Sequence, residues 1–451
     1  MAFADNPIFD YNREPSRDIL CIDCKSFYAS TESVARGWDP MAADLVVMSY
    51  PQGGDQGRGS GLIMAASPQA KANYQISNIS RARDLPYPYP ASLMTVPPRM
   101  RFYMAENQAV NRIYKGFVDE DNHHVYSVDE SFLDVTNTRH LFGAKTADEM
   151  AAKIQAKIKD ELGLRVTVGI GDNPLLAKLA LDNAAKHQQS MRAEWRYEDV
   201  PDTLWQIKDM TDFWGIGRRT AKSLQGMGIN NIYDLAHNSY YMLRDKLGIV
   251  GGQLYAHAWG IDRSFIGQPY QVKTPSLGNS QILPRDYNDY DELAVVVGEM
   301  ADQVASRLRR AGLKAGALSL YLGFSLAYQG QGRGLKQRRR ILASNQSRHL
   351  KKEVLNMLAD IYQAVSIRQV GVTASHLSPD TGYQVNLFED LERQAKNQDL
   401  DLIVDKVRYK YGFTALVRAS SLSAGGRAIA RSSLVGGHAG GMAGIEGSQY
   451  G

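Results

Sequence analysis

"HHVYSVDESFLDVTN", residues 123–137, decides the fold. Val125, Ser127 and Asp129 alternate with Tyr126, Val128 and Glu130, and Phe132, Leu133 and Val135 then resume the apolar pattern. The stretch therefore reads as two short strands that meet at an Asp-Glu pair. Adjacent carboxylates at the junction of two buried strands repel each other and gain nothing from burial. The pair needs a counter-charge that its own strands do not provide.

Reading outward, "DILCID" (18–23) is a short buried strand that ends on Asp23, and "FYASTESVARG" starts a helix. Residues 50–61 form a Gly-rich loop and residues 86–98 hold five prolines, so the stretch between them reads as a small, loosely built insertion. After the hairpin, "TADEMAAKIQAKIKDELG" shows a capping box at Thr146 and Glu149. Its apolar positions are Met150, Ile154, Ile158 and Leu162, and Gly163 closes it. "LRVTVGIG" alternates as a strand, and Asn173 and Pro174 cap a further helix, "LLAKLALDNAAK".

This is the βαββαβ order of a split βαβ unit. It predicts two parallel strands with a third between them, so that Asp23, Asp129 and Glu130 converge at one edge of the sheet. The same order recurs from about 276 to 376. A strand "SLGNSQIL" leads to a helix near 289–311, strands near 314–325 and 334–344, a helix near 347–362 and a strand "IRQVGVTA". An all-helical stretch, 190–262, separates the two units. A charged helical segment follows residue 384, and a Gly-rich tail from Ser421 is expected to be flexible and to lack a core. The fold class expected is α+β and multidomain.

At 451 residues the chain should hold two to four domains. Apolar content of 44% and charged content of 22% describe an ordinary soluble protein. No apolar run approaches the ~20 residues of a membrane span. The polar N-terminus "MAFADNPIFDYNREPSRD" lacks a signal-peptide layout, so a cytoplasmic location and no membrane contact are expected. Net charge is +4, yet residues 303–352 carry twelve Lys or Arg and no Asp or Glu, leaving 4 − 12 = −8 for the remainder. A solvated helix face would intersperse both signs, so this asymmetry points to a polyanion. Both cysteines lie in "CIDC", Cys21 and Cys24. On a strand they face opposite sides, and no second pair completes a zinc site, so they read as packing residues.

Three carboxylates gathered at one sheet edge suit hard divalent cations. Mg²⁺ takes one or two carboxylates, water and phosphate oxygens. Two such ions roughly 3.5–4 Å apart activate an attacking oxygen and stabilise the leaving group of an in-line phosphoryl displacement. One such Asp alone would be an ordinary strand-end residue.

"CIDCKSFYAS", "YSVDESFLDVT" and "VGIGDNPLLAKLALDNAAK" together resemble the Y-family DNA polymerases, the translesion enzymes, and most closely their UmuC/ImpB/MucB/SamB branch, over about residues 18–440. The resemblance implies a right-hand polymerase. Its βαββαβ palm would be 18–35 and 96–188, its small fingers 36–95, its helical thumb 190–262 and its βαββαβ little finger 274–380. It implies DNA-directed addition of dNTPs to a primer opposite damaged or intact template, in DNA repair and SOS damage tolerance, with two Mg²⁺ ions for which Mn²⁺ can substitute. By position, Asp23 and Asp129 match the metal-bridging aspartates and Glu130 the third carboxylate. Cys24 takes the place whose backbone carbonyl helps hold the nucleotide-side metal. Phe27 and Tyr28 match the aromatics under the sugar, with Tyr28 as the steric gate against a 2′-hydroxyl. Lys178 and Lys186 suit triphosphate oxygens, Lys186 better. "MAASPQAKANY" departs from many relatives: Pro68 and Lys71 stand where a Tyr and an Arg are common. Lys71 remains a point charge without bidentate geometry, and Ser67 is expected to assist it.

"FWGIGRRTAKSLQGMGI" (213–229) reads as a helix-hairpin-helix. Gly215 and Gly217 permit the turn, the next helix offers free N–H groups to a phosphate, and Arg218, Arg219 and Lys222 add charge. Arg307, Arg309, Arg310, Lys336, Arg338, Arg339 and Arg340 should grip the primer-template duplex by its backbone. "QVNLF" (384–388) resembles the peptide that hooks bacterial polymerases to the sliding (beta) clamp, with Gln384 as anchor and Leu387 and Phe388 as plugs. A recombinase filament or accessory subunit is a further candidate partner. Two competing readings remain. A nucleotidyl cyclase-like palm enzyme needs no helix-hairpin-helix, basic half-domain or clamp peptide. A non-catalytic DNA-binding protein needs no intact carboxylate set.

Overall fold

The structure, a computed structural model, describes residues 9–49, 61–77, 80–268, 272–330, 332–381, 391–436 and 438–439. The first unit opens with strand β1 (Ile19–Cys24) and helix α1 (Phe27–Val34). An insertion follows, made of β2 (Leu45–Ser49), β3 (Leu62–Ala66), α2 (Pro68–Tyr74) and β4 (Met94–Val96). The chain returns through α3 (Met100–Tyr114), β5 (His123–Val125), β6 (Glu130–Asp134), α4 (Ala147–Leu162), β7 (Val166–Gly171), α5 (Pro174–Asn183) and β8 (Arg192–Trp195).

The five-stranded sheet has the order β5-β6-β1-β7-β8. β6 is antiparallel to both β5 and β1, so β5 and β1 run the same way with β6 between them. β1 is central and buried through its apolar residues Ile19–Ile22. The register sets Asp23 directly opposite Glu130. Local signals hold the surrounding helices in place. The Thr146 hydroxyl accepts the Glu149 N–H at 3.1 Å, a cap of the kind worth about 1 kcal/mol, and Gly163 ends α4 at φ 68°. The Glu149 carboxylate, however, accepts from the Lys145 N–H rather than from Thr146. α5 lies hard against β7, where a Cβ on Gly169 would come within 2.0 Å of the Ala177 carbonyl. That close approach is what brings Lys178 over the sheet edge.

The insertion is less loose than its composition suggests. β3, β2 and β4 form their own sheet around Val46, Met48, Ile63, Leu85 and Leu93. Helix α3 had no counterpart in the sequence reading because its polar residues mask the buried stripe of Phe102, Tyr103, Val110, Ile113 and Tyr114. β8 belongs to the first sheet, parallel to β7, so the helical segment begins after Trp195 rather than at 190. That segment contains α6 (Arg218–Gln225), α7 (Ile232–Ala236), α8 (Tyr240–Leu247) and α9 (Ile249–Ala258). They pack around Leu204, Phe213, Leu224, Leu235 and Trp259.

The second unit follows the expected order closely: β9 (Leu277–Tyr287), α10 (Tyr290–Arg310), β10 (Leu313–Phe324), β11 (Gly334–Ser344), α11 (Ser347–Ile361) and β12 (Ile367–Pro379). Its sheet, β11-β10-β12-β9, is antiparallel throughout. Helix α12 (Leu391–Tyr411) and the short α13 (Ala428–Ser432) follow.

The expectation of a coreless tail from Ser421 does not hold for residues 421–435. Glu299 of α10 accepts the N–H groups of Arg427 (2.8 Å) and Ala428 (2.9 Å). Tyr287 donates to the Gly425 carbonyl, and Val435 packs on the core of the first unit. Buried acceptors on α10 give this Gly-rich segment partners that its composition does not reveal. Gln384, Leu387 and Phe388 lie outside the described residues. Among the described residues no helix is long and apolar enough to cross a membrane.

Candidate active site

Asp23, Asp129 and Glu130 meet where β1 ends and β6 begins. Asp129 occupies the turn before β6, where its carbonyl accepts the Cys24 N–H at 2.9 Å and its Oδ1 accepts from Ser127 Oγ at 2.8 Å. Glu130 Oε1 accepts from the buried Cys21 thiol at 3.0 Å. Burial and the charges of Asp129 and Glu130 push the Asp23 carboxyl up to about 6, against the pull of Lys186.

Two ammonium groups offset this acidity. Lys178 Nζ sits 2.6 Å from Glu130 Oε1 and 3.0 Å from Asp182 Oδ2. Lys186 Nζ sits 3.3 Å from Asp23 Oδ2 and 2.7 Å from Asp182 Oδ1. Asp182 thus bridges both lysines, four residues from each, a helical spacing visible in the sequence but not singled out there. Lys178 is held against a catalytic-site carboxylate rather than directed outward, which corrects its expected place on the triphosphate. Lys186 is more open, at 38% side-chain exposure. Lys71 lies within the same field: burial lowers its pKa, Asp23 opposes that, and Lys25 and Lys186 reinforce it.

Among the described residues no three His, Cys, Asp or Glu form a ready-made metal cage. The donor set at the sheet edge is nevertheless all carboxylate oxygen, the chemistry that suits Mg²⁺. The like charges that raise the Asp23 pKa are the excess negative charge such an ion would neutralise. The Cys24 side chain is buried, so it can contribute only through its backbone.

Tyr28, in the first turn of α1, is half-buried, and its phenol pKa is raised by burial and then by the Asp129 charge. Its ring stacks on Tyr103 at 4.5 Å and 17°. Phe27 instead packs into the core of the first unit at 3% exposure, so it supports the site from behind rather than lying under a sugar. Ser67 is likewise structural. It caps α2 by accepting the Ala70 N–H, accepts the Leu45 N–H and donates to the Ala43 carbonyl, which leaves its hydroxyl buried and committed to the backbone.

Around the helix-hairpin-helix, Gly215 adopts φ 96° and Gly217 precedes α6. Arg218, Arg219 and Lys222 are exposed. The neighbouring Trp214 ring meets Tyr126 edge-on at 5.9 Å, which ties this hairpin to the turn that carries Asp129.

The basic run of the second unit divides by strand parity. Lys336, Arg338 and Arg340 of β11 are exposed and lie beside Tyr321, Ser319 and Ala317 of β10. Arg339 points to the other face, where it pairs with Glu353 at 3.6 Å and with Asp360. Arg309 is 7% exposed and pairs with Asp405 (2.7 Å) and Asp401 (3.2 Å) of α12. Arg309 and Arg339 are therefore internal ties, contrary to the expected duplex contacts. Arg310 is exposed, and the exposed Arg307 also donates to the Gly278 carbonyl at 2.7 Å.

The fold and its carboxylate edge define a nucleotidyl-transfer enzyme built on a split βαβ palm. Residues 22–182 match the impB/mucB/samB family, 274–387 that family's C-terminal domain and 197–229 the IMS family HHH motif. UvrX of Bacillus subtilis (strain 168), named for UV-damage repair, is 38% identical over 96% of this chain and 100% of its own. DNA polymerase IV 2 of the same organism is 32% identical over 93% of this chain and 98% of its own. The solved Y-family DNA polymerase chimera Dbh-Dpo4(243-245)-Dbh superposes with a TM-score of 0.62 at 20% identity, covering 80% of this chain and 98% of that one, a likeness of fold. The chain belongs to the impB/mucB/samB family of Y-family DNA polymerases, the translesion enzymes, and is a DNA-directed DNA polymerase.

If Lys178 is held by Glu130, Lys178→Met should cost about 3 kcal/mol in denaturant unfolding, because it leaves a largely buried carboxylate unpaired. Adding Glu130→Gln should recover most of that loss. A double variant no more stable than the single one would contradict the pairing.

Proposed function

We propose that this translesion polymerase joins a dNTP to a primer end at Asp23, Asp129 and Glu130, opposite intact or damaged template. The observation that carries the reading is the register of β1 on β6, which places Asp23 opposite Glu130 with Asp129 beside it. Asp23, Asp129 and the Cys24 carbonyl, with Glu130, would hold Mg²⁺, or Mn²⁺ in its place. Bound there, the metal supplies activation of the primer hydroxyl and charge neutralisation on the departing pyrophosphate.

The chain's own groups do the rest. Lys186 and Lys71 meet the triphosphate charge, with Lys186 exchanging Asp23 for phosphate oxygen. Lys178 stays on Glu130 and limits the repulsion between the carboxylates. Tyr28 presents its ring to the deoxyribose and excludes a 2′-hydroxyl. Gly215, Gly217, Arg218, Arg219 and Lys222 hold DNA phosphates, and Arg307, Arg310, Lys336, Arg338 and Arg340 continue that grip without reading sequence. Gln384, Leu387 and Phe388 join the enzyme to a sliding clamp in the cytoplasm.

Primer extension with dNTPs and Mg²⁺ tests the carboxylates. Asp129→Ala and Glu130→Ala should each lower the rate by about a thousandfold or more, as loss of a group essential to transition-state charge does. Near-normal rates in either variant would contradict the assignment.

The division of the basic run has its own readout. Arg338→Ala or Arg340→Ala should weaken primer-template binding and reduce the slope of log K against log salt by about one. Arg339→Ala should leave that slope unchanged and lower the unfolding midpoint. A salt slope altered by Arg339→Ala but not by Arg338→Ala would reverse the two roles.

A further inference from the structure

Glu32 is a carboxylate with no exposed surface, in the interior of α1. Burying such a charge is unfavourable unless every oxygen is engaged, and here both are. Oε1 accepts from Arg99 Nε and from the Tyr103 hydroxyl, each at 2.8 Å. Oε2 accepts from Arg99 Nη2 at 2.7 Å and from Arg36. These donors hold the Glu32 pKa below its ordinary value despite burial. Arg99 stands just ahead of α3, and its guanidinium lies over the Phe102 ring at 4.4 Å. The network therefore locks the start of α3 to the interior of α1.

The network ends on the sugar-facing ring. Tyr103 is completely buried, and the face of its ring lies against Tyr28. A ribonucleotide can enter only if the Tyr28 ring yields to the extra hydroxyl. On the side where Tyr103 stacks on it, Tyr28 can yield only if Tyr103 retreats, and Tyr103 retreats only by breaking its hydrogen bond to a carboxylate that is itself held at four points. Close-packed interiors transmit such resistance because they contain no free volume to absorb a shift.

We propose that Glu32 and Arg99, acting through Tyr103, are positioning residues that set the rigidity of Tyr28 and hence the preference for deoxyribose over ribose. This inference rests on Tyr28 being the sugar gate. Glu32 and Tyr103 have no exposed surface to offer a substrate, and a purely architectural ion pair would leave sugar choice untouched.

The test is single-nucleotide insertion of dATP and of ATP opposite template dT, read as the ratio of the two kcat/KM values. Both substrates are measured on one enzyme sample, so partial misfolding cancels from the ratio. Tyr103→Phe keeps the stacked ring and removes only the hydrogen bond. It should raise the ATP:dATP ratio by about tenfold or more, the scale of one hydrogen bond to a charged group. Glu32→Gln should raise it similarly. A ratio within about twofold of wild type in both variants, whatever happens to the separate rates, would overturn the proposal. Tyr28→Ala keeps the underlying reading separable. If it leaves ribonucleotide use unchanged, the gate assignment fails and this proposal falls with it. If Tyr28→Ala raises the ratio while Tyr103→Phe and Glu32→Gln do not, only the positioning role fails.

Discussion

Mutual repulsion among Asp23, Asp129 and Glu130 is the constraint around which the first unit is built. Backbone pairing forces it: β1 cannot take its register on β6 without setting Asp23 against Glu130. The fold tolerates this because α5, lying close on β7 at Gly169 and Gly171, delivers Lys178, and the 3-10 turn that follows it (Ala185–His187) delivers Lys186, to the same edge. Asp182 then holds the two ammonium groups in place. The lysines have unequal standing. Lys178 and Glu130 are both 11% exposed and form an internal pair, whereas the more open Lys186 keeps a longer contact with Asp23. The acidic centre is thus balanced by one enclosed cation and one more open to solvent.

Outside that centre the charge reverses. Exposed basic side chains lie on α6 and on the open face of the second sheet, where the nearest residues of β10 are small or flat: Ala317, Ser319 and Tyr321. Small residues beside a basic edge allow a polyanionic backbone to approach closely. Trp214 against Tyr126 connects the hairpin to the turn that carries Asp129, so the two regions are mechanically continuous. The segment after α12 packs on α10 and reaches the first unit through Val435.

Much of this was legible in the sequence, and the failures share a cause. The βαββαβ strands of both units, the Thr146 and Asn173 caps and the Gly163 stop are local, and each appears where its residues predict. The convergence of the three carboxylates also followed from topology, since βαββαβ order leaves few arrangements. What was not legible depends on partners distant in the chain. Arg309 looks like a surface arginine until Asp401 and Asp405 fold over it. Ser67 looks like a phosphate contact until Ala43 and Leu45 claim its hydroxyl. Phe27 and Tyr28 are neighbours in sequence, yet one faces the core and the other the site. Arg339 is the instructive exception: parity along β11 already separates it from Arg338 and Arg340, so the signal was present and local. Glu32 carried a signal too, the lone charged residue in a helix otherwise made of aromatic, hydroxyl-bearing and small apolar residues.

We propose that the carboxylate edge gathers metal and nucleotide. Anomalous diffraction from crystals of the enzyme with primer-template DNA, Mn²⁺ and a non-reactive dNTP analogue tests it most directly. The expected map shows manganese peaks bonded to both Asp23 and Asp129, Lys186 moved from Asp23 to the triphosphate, and Lys178 still on Glu130. Manganese bound elsewhere, with Asp23 still paired to Lys186, would contradict it.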